Sequence, residues 1–512
     1  MLVELLSGIC AVLLYVFIWL KSKANDTGHG IPIPGPKGIP LFGSLFEFEL
    51  GNLHNIASKH AAEFGDIVQL RLLHEHVVFL NTADFIRKAY MDERYKRFLN
   101  DRPVTFYGEN FQYGSKGLIM NKRGYSPRHA QLRKHFAKGL KAYGDGVTAF
   151  EDIINREISD MMEVVRLHKD HEVFEFLPIL ENSLSNLLSV LMCGEKRATN
   201  EHVSLFWDYI EMVNYVGTPK FDTIMKFFPF LKYLPGPYGS ACRKLERMRE
   251  QLIDLFLTRQ KESFMPGKVR GLMDYLIHEQ LKEISENKQD RLFTDEMLFA
   301  LIADVVLAGL ITTRAAMANM FFCLMHHLEY QFKIQNELDR VVGRNRRPTL
   351  NDRNQMPMLE AVAMESQRYL TTGVVMAHLA NEDVNFEGFH IKKNTFVFPN
   401  MWYVHHDQKI WGDPWTFRPE RFLDNEGNLL PMEHPLRKSW VIFGMGRRHC
   451  VGESLARSRM FLYMANMLQK WNIFPARDAT GSCCICDPRS SDVEVKIVTS
   501  PKPFKCYIRK RW

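Results

Sequence analysis

The chain has 512 residues, 46% hydrophobic and 24% charged, the balance of an ordinary folded protein with room for a large buried core. That composition excludes a disordered chain, a collagen-like repeat and a polytopic membrane protein. The formal charge of +7 is a mild excess for this length, and no long basic block marks a nucleic-acid groove, so no nucleic-acid partner is expected.

The first element in the chain is hydrophobic. Leu2 to Leu20 is apolar except for Glu4, Ser7 and Gly8, and Lys21 and Lys23 follow at once. At helical rise this run nearly covers the ~30 Å hydrocarbon core of a membrane. A cleaved signal peptide would carry its positive charge before the apolar run and small residues at a cut site. Here the charge comes after, which puts the C-terminal side in the cytosol. Residues 1–20 are therefore predicted to be an uncleaved transmembrane signal-anchor. Ile31-Pro32-Ile33-Pro34-Gly35-Pro36 cannot continue a helix and favours extended, semi-rigid backbone, so 21–40 reads as a proline-rich linker that spaces a body off the membrane. No further linker, repeat or low-complexity tract interrupts 41–512, which reads as one domain.

That domain is predicted to be mainly α with small β-sheets. Short strand-like runs fall at Ile67–Leu72, Val77–Leu80 and Thr395–Phe398. Phe150–Val165 has helical spacing of its apolar residues, Met297–Leu328 reads as a long, nearly all-apolar helix, and Met358–Leu370 as a shorter one. Phe227 to Pro237 is an apolar loop mixed with Lys226, Lys232 and Tyr233; it reads as core or as a second contact with lipid, with lipid favoured. Gly444 to Gly452 is a glycine-rich loop opening into a helix over Glu453–Trp471. The nine cysteines are odd in number and mostly far apart, which argues for a reducing compartment rather than a disulfide framework.

The chemistry concentrates in that loop. Phe443-Gly444-Met445-Gly446-Arg447-Arg448-His449-Cys450-Val451-Gly452 sets a single cysteine between glycines, beside arginines and before a helix. Positive charge and a helix N-terminus both favour thiolate, and glycines let the backbone approach a flat, bulky partner. One thiolate without further ligands at metal spacing does not make a zinc site. It fits an axial ligand to haem iron, which pushes electron density toward O–O cleavage; a structural cysteine near a turn is the alternative.

With these residues in view the chain resembles the cytochrome P450 family, of the microsomal group that contains vertebrate drug-metabolising and steroid-hydroxylating members. FGMGRRHCVG matches the pattern F-x-x-G-x-R-x-C-x-G at every fixed position, Phe443 and Gly452 included. Glu365-Ser366-Gln367-Arg368 is similar to the family's E-x-x-R helix, Trp415 to Phe422 to its P-E-R-F segment, and Ala308-Gly309-Leu310-Ile311-Thr312-Thr313 to its oxygen-activation stretch. The resemblance covers essentially the whole chain. It implies the cytochrome P450 fold preceded by one transmembrane helix, with haem b (iron protoporphyrin IX) held by Cys450.

The resemblance also distributes roles. Glu365 and Arg368, three apart on one helix face, would join Arg421 in a buried triad that keeps the cysteine loop in register. Gly309 would open room over the iron while Thr312 orders water and relays protons. The usual acid before that threonine is Ile311 here, so proton delivery must run through other groups or water. Asp304 either recognises a basic amine or, the favoured reading, bonds loop backbone; with Ala308, Val374 and Val375 it would border the substrate pocket. The haem propionates would be met by Arg102, Arg133, His378 and Arg448, with His129 where relatives have tryptophan. Thr371 to Ala377 lacks the prolines that relatives carry there. Tyr107, Phe111 and Tyr113 would lie in the loop over the haem, and Cys483, Cys484 and Cys486 where a C-terminal hairpin reaches the pocket, a metal site being the lesser reading of these three.

The function implied is insertion of one oxygen atom from O2 into an apolar steroid, fatty acid or xenobiotic. Electrons would come from NADPH through a flavoprotein reductase, with cytochrome b5 as a second candidate donor, at the endoplasmic reticulum membrane with the catalytic domain in the cytosol. Arg128, Lys134, Lys138, Arg447, Arg457 and Arg459 would form a basic face that steers an acidic electron donor. An isomerase or dehydratase acting on a peroxide without external electrons, and a non-catalytic haem-binding membrane protein, stay open at this level.

Overall fold

The computed structural model describes residues 30–40, 42–47, 52–73, 75–144, 148–195, 199–373, 376–477 and 481–512. The expected signal-anchor at 1–20 and the pocket residues Val374 and Val375 lie outside the described residues. The described part is mainly helical with small sheets, as the sequence pattern predicts.

The elements that position the site are few. Strands β1 (Ile67–Leu72) and β2 (Glu75–Leu80) form an antiparallel hairpin; helix α1 is Pro127–Gly144; helix α2 is Phe176–Cys193; and helix α3 is Asp295–His326. Helix α4 (Pro357–Tyr369), strands β3 (His378–Leu379) and β4 (Phe396–Pro399), and helix α5 (Glu453–Lys470) follow. The sheet runs β1-β2-β4-β3, with β2 and β4 parallel and β3 antiparallel to β4 through His378 opposite Val397. The proline segment is laid against this layer and a separate hairpin: Gln69 N–H donates to Pro34 O at 2.9 Å, and Ile31 N–H to Gly388 O, in the turn between strands Val384–Phe386 and Phe389–Ile391, at 2.9 Å.

α3 is the axis of the molecule. Thr294 caps its N-terminus by accepting from Met297 N–H, with Asp295 and Glu296 in the first turn, both favourable at the positive end of the helix dipole. Its side chains are apolar all round because helices surround it, the pattern of a core helix. It ends at His326 rather than Leu328, and a separate helix starts at Leu328. α2 and α3 are the two described helices long and apolar enough to cross a membrane, and each is mostly buried in the fold. The 227–237 loop is not core: Phe227, Phe228, Phe230 and Tyr233 are exposed, Tyr233 by 78%.

Candidate functional site

Glu365 and Arg368 lie on the buried side of α4, both 0% exposed. Arg368 makes a bidentate pair with Glu365, Nε to Oε2 at 2.7 Å and Nη2 to Oε1 at 2.9 Å. Arg421 donates Nε to the same Oε1 at 3.0 Å, and Arg418 N–H adds a bond at 2.9 Å. The remaining donors reach carbonyls: Arg368 to His405 and Pro414, and Arg421 to Trp411 and Thr416. Each charge is paired and each donor satisfied, which is what lets such a group stay buried.

The triad does not touch the cysteine loop; two residues that sequence reasoning missed make the link. The His405 carbonyl accepts from Arg368 Nη1, and its ring Nε2 lies 3.2 Å from Val441 N, two residues before the loop. Because Val441 N–H can only donate, Nε2 accepts and the ring proton sits on Nδ1, facing Thr371 Oγ1 at 3.2 Å. Thr371 in turn donates to Arg368 O at 2.8 Å. Burial holds the His405 pKa far below its ordinary value, so the ring stays neutral. Trp440 is the second link: its indole N–H donates to Met364 O at 3.1 Å, and its ring meets Phe443 edge-on at 5.5 Å. A histidine beside His406 and Asp407 carries no sequence signal for this role.

The loop closes on itself with Cys450 N–H donating to Phe443 O at 2.9 Å, and Gly452 begins α5. Cys450 is exposed on one side, yet burial of its sulfur pushes the thiol pKa up, against the lowering effects of Gly452 N–H and Arg133. Burial of the sulfur thus opposes the lowering effect of Arg133 and the helix start. A coordinating metal would deprotonate it outright.

Arg102, His378 and Arg448 are gathered by one short segment. Leu99 O accepts from His378 Nδ1 at 3.1 Å, Asn100 O from Arg448 Nε at 2.9 Å, and Asp101 O from Leu379 N–H at 2.9 Å. Arg102 Nη1 then reaches Ala377 O at 2.6 Å. His378 is stacked on Tyr90 at 4.0 Å between centroids. Arg133 bonds His449 O beside the cysteine, and one turn earlier on α1 His129 Nε2 lies 3.1 Å from Arg448 Nη1. Burial lowers the pKa of Arg102 and Arg448, to about 10 and about 9.

On α3, Asp304 bonds the loop that precedes α1. Its Oδ2 accepts from Leu118 N–H at 2.6 Å and Ile119 N–H at 3.1 Å, and its Oδ1 from Gln112 Nε2 at 3.0 Å. A Cβ on Gly117 would fall 2.4 Å from that carboxylate, so glycine is what allows the approach. Leu118 O also accepts from Arg448 Nη1 at 3.0 Å, which ties α3 to the cysteine loop through one residue. Farther along the helix the burial breaks: Ala308 and Gly309 are half-buried and Thr312 is exposed, while Ile311 is buried. A Cβ on Gly309 would meet nothing nearer than 3.9 Å. Thr312 Oγ1 donates to Ala308 O at 2.6 Å.

Burial raises the Asp304 pKa to about 6. Since this exceeds the ordinary 3.8, the folded state holds the proton more tightly, and stability falls as pH rises through that interval. Gln112 Oε1 is buried without a partner, so a flipped Gln112 amide can accept from an asparagine. Asp304→Asn is expected to fold and to lose this pH dependence between about pH 4 and pH 6, read by thermal denaturation across pH. A collapsed protein would refute the loop-capping role.

Two expectations change, for the basic face and for the C-terminal cysteines. Arg459 is 3% exposed and does not belong to the basic face, and Arg457 is half-buried and bound to Glu360 and Glu453. Arg128, Lys134, Lys138 and Arg447 are exposed. Tyr107 and Phe111 are buried, with the Tyr107 hydroxyl 2.8 Å from that of Tyr209. Cys484 and Cys486 sit at the C-terminal end of α3, beside His326, His327 and Cys323, about three turns beyond Thr312. Among the described residues no His, Cys, Asp and Glu group has the arrangement of a metal site.

This architecture, with a cysteine loop locked to a buried Glu–Arg–Arg triad, defines the haem-thiolate monooxygenases. The family model for cytochrome P450 matches residues 33–505, and the chain belongs to the cytochrome P450 family. A steroid 17-alpha-hydroxylase/17,20 lyase of Mesocricetus auratus is 29% identical over 518 residues, 99% of this chain and 97% of that one. Cytochrome P450 1A1 of Homo sapiens is 31% identical over 476 residues, 89% of each chain. The steroid 17-alpha-hydroxylase/17,20 lyase of Ictalurus punctatus is 30% identical over 471 residues, 90% of this chain and 89% of that one. The chain is thus an oxygen-incorporating monooxygenase.

The residues present fit the family's haem. Every described hydrogen bond of Arg102, Arg133 and Arg448 ends on a carbonyl or a ring nitrogen, which leaves their charges to be balanced by an acidic partner. Arg102 Nε and His129 Nδ1 are buried without a hydrogen bond, donors or acceptors still to be used.

Proposed function

We propose that the chain is a membrane-anchored monooxygenase of apolar small molecules, with steroids, fatty acids and xenobiotics as the substrate class. Its electrons come from NADPH through a flavoprotein reductase, with cytochrome b5 as an accessory donor. In this reading residues 1–20 anchor the protein in the endoplasmic reticulum membrane, 21–40 form the connecting segment, and 41–512 are the cytosolic catalytic domain. The exposed aromatic group at 227–234 adds a second lipid contact. The observation that carries the reading is the Cys450 loop, fixed through His405 and Trp440, with Arg448 within it and Arg133 bonded to its His449 carbonyl. The substrate class follows from the relatives that are steroid hydroxylases and from the apolar surroundings of α3.

Cys450 would hold the haem iron, Arg102, Arg133, His378 and Arg448 would meet its propionates, and Phe443 and Gly452 would flank it. When bound, the haem supplies the activation of O2. The protein positions the substrate and controls protons. Gly309 would leave room beside the bound haem, and Ala308, with Val374 and Val375 on the sequence reading, would border the substrate. Thr312, whose proton is committed to Ala308 O, accepts a hydrogen bond from water and orders it there. Ile311 and the fully engaged Asp304 donate nothing, so protons arrive through ordered water. Arg128, Lys134, Lys138 and Arg447 steer the acidic donor.

Thr312→Ala is expected to lower product formation per NADPH consumed several-fold, with hydrogen peroxide accounting for the difference; unchanged coupling would count against the water-ordering role. The reading as a whole is tested by the carbon-monoxide difference spectrum of the reduced protein beside Cys450→Ala. The red-shifted Soret band of a thiolate-ligated haem, lost in the variant, is the expected result, followed by product that requires both NADPH and reductase. A blue-shifted band in folded wild-type protein would overturn the Cys450 assignment. Hydroperoxide rearrangement without reductase would overturn the electron source.

A further inference from the structure

The cysteines at the far end of α3 have no part in the chemistry above, yet they form an ordered group. Cys323, in the last turns of α3, is 0% exposed. Cys486, in a stretch without regular structure, is half-buried, and its Sγ lies 3.7 Å from that of Cys323. The positions are 163 apart in sequence. The Cys486 backbone is held by Tyr369, whose hydroxyl donates to Cys486 O at 3.1 Å. His327 hydrogen-bonds the Cys486 sulfur on one side and faces Glu329 at 3.4 Å on the other. Cys484 lies 3.6 Å from His326 Nε2, and Cys483 is exposed.

We propose that Cys323 and Cys486 are a dithiol pair that a hydroperoxide oxidises to a reversible disulfide, tying the end of α3 to the C-terminal segment. The division of labour follows from the surroundings. Hydrogen bonds from Cys323 and His327 bring the Cys486 thiol down to about 7, so much of it is thiolate at neutral pH. Burial pushes Cys323 far up and Cys484 to about 11. Cys486 is therefore the attacking sulfur and Cys323 the resolving one.

The first step breaks the O–O bond. The Cys486 thiolate takes one peroxide oxygen as sulfenic acid, and the other leaves as hydroxide and is protonated to water. The Cys323 sulfur then attacks the sulfenic sulfur, the S–O bond breaks, and a second water leaves carrying the thiol proton. Two thiols thus give two electrons to one hydrogen peroxide. The sulfurs must close from 3.7 Å to ~2.05 Å, a movement that the irregular backbone at 483–486 can supply.

The test treats the haem-loaded, full-length protein with equimolar hydrogen peroxide, blocks free thiols and maps the cross-links by mass spectrometry. The expected result is one dithiothreitol-reversible link between Cys323 and Cys486 and the loss of two free thiols per chain. It persists when Cys483 and Cys484 are both replaced by serine, which removes ambiguity within that peptide. In Cys486→Ser, Cys323 stays alkylatable and the carbon-monoxide spectrum is unchanged. The proposal is overturned if Cys323 remains free in peroxide-treated wild-type protein, or if the link joins it to Cys484 or joins Cys483 to Cys486.

Discussion

Arg368→Ala is expected to give a protein that takes up no haem and does not fold stably. The substitution leaves Glu365, fully buried, with one guanidinium instead of two, and it strips the bonds to His405 O and Pro414 O. Breaking a buried pair from one side costs about 3–5 kcal/mol, a large part of the ~5–15 kcal/mol that a folded domain has in hand. The damage also travels, because the His405 carbonyl that loses its partner belongs to the residue whose ring accepts from Val441 N–H. Arg368→Lys should fail similarly, since an ammonium cannot make the bidentate contact and reach two carbonyls. Haem absorbance per chain and a thermal melt read the result; either variant with full haem content would show that the triad is dispensable.

Gly446→Ala is expected to be nearly as severe, although it adds one methyl group at an exposed position. Gly446 has φ +65°, and a Cβ there would fall 2.1 Å from Tyr90 O. The left-handed backbone alone costs about 1–2 kcal/mol. The contact is worse, because it is with a backbone carbonyl that cannot rotate away. Tyr90 is part of the helix Ala83–Met91, and its ring is the one stacked on His378. Relief must therefore displace either the cysteine loop or the histidine. Gly427→Ala separates the two costs: its φ is +83°, but nothing lies within 4 Å of the added atom. A small fall in melting temperature for Gly427→Ala beside loss of haem in Gly446→Ala is the expected outcome. Equal effects would reduce the argument to backbone strain.

These two positions show what was legible in the chain and what was not. The cysteine loop was readable from its own residues, whereas the pairing of Glu365–Arg368 with Arg421 followed from the family resemblance, because Arg421 lies 56 positions from Glu365. The long helix was readable from its unbroken apolar composition. Asp304 was readable as an expensive buried acid, and its loop-bonding role follows from that cost, but its partners at 112 and 118–119 lie far away in sequence. His405, Trp440 and the 99–102 segment were not readable. Their roles use backbone carbonyls or a neutral ring, and a carbonyl carries no side-chain signature. Arg459 was misplaced for the converse reason: a charge in an amphipathic-looking stretch reads as solvated, whereas α5 is buried on that side.

The distances in sequence between bonded groups carry a consequence for how the protein is made. Arg102 meets Ala377 across 275 positions, Arg133 meets His449 across 316, and Arg448 meets Asn100 across 348. Segments far apart in the chain thus build one site together. A ribosome releases residues 100–133 long before residues 377–450 exist, so the site stays incomplete until Arg448 has emerged. Prosthetic-group capture is then among the last events of biosynthesis rather than a nucleus for it. A chain cut short before that arginine should accumulate folded helices and bind no haem, however complete its first 440 or so residues are.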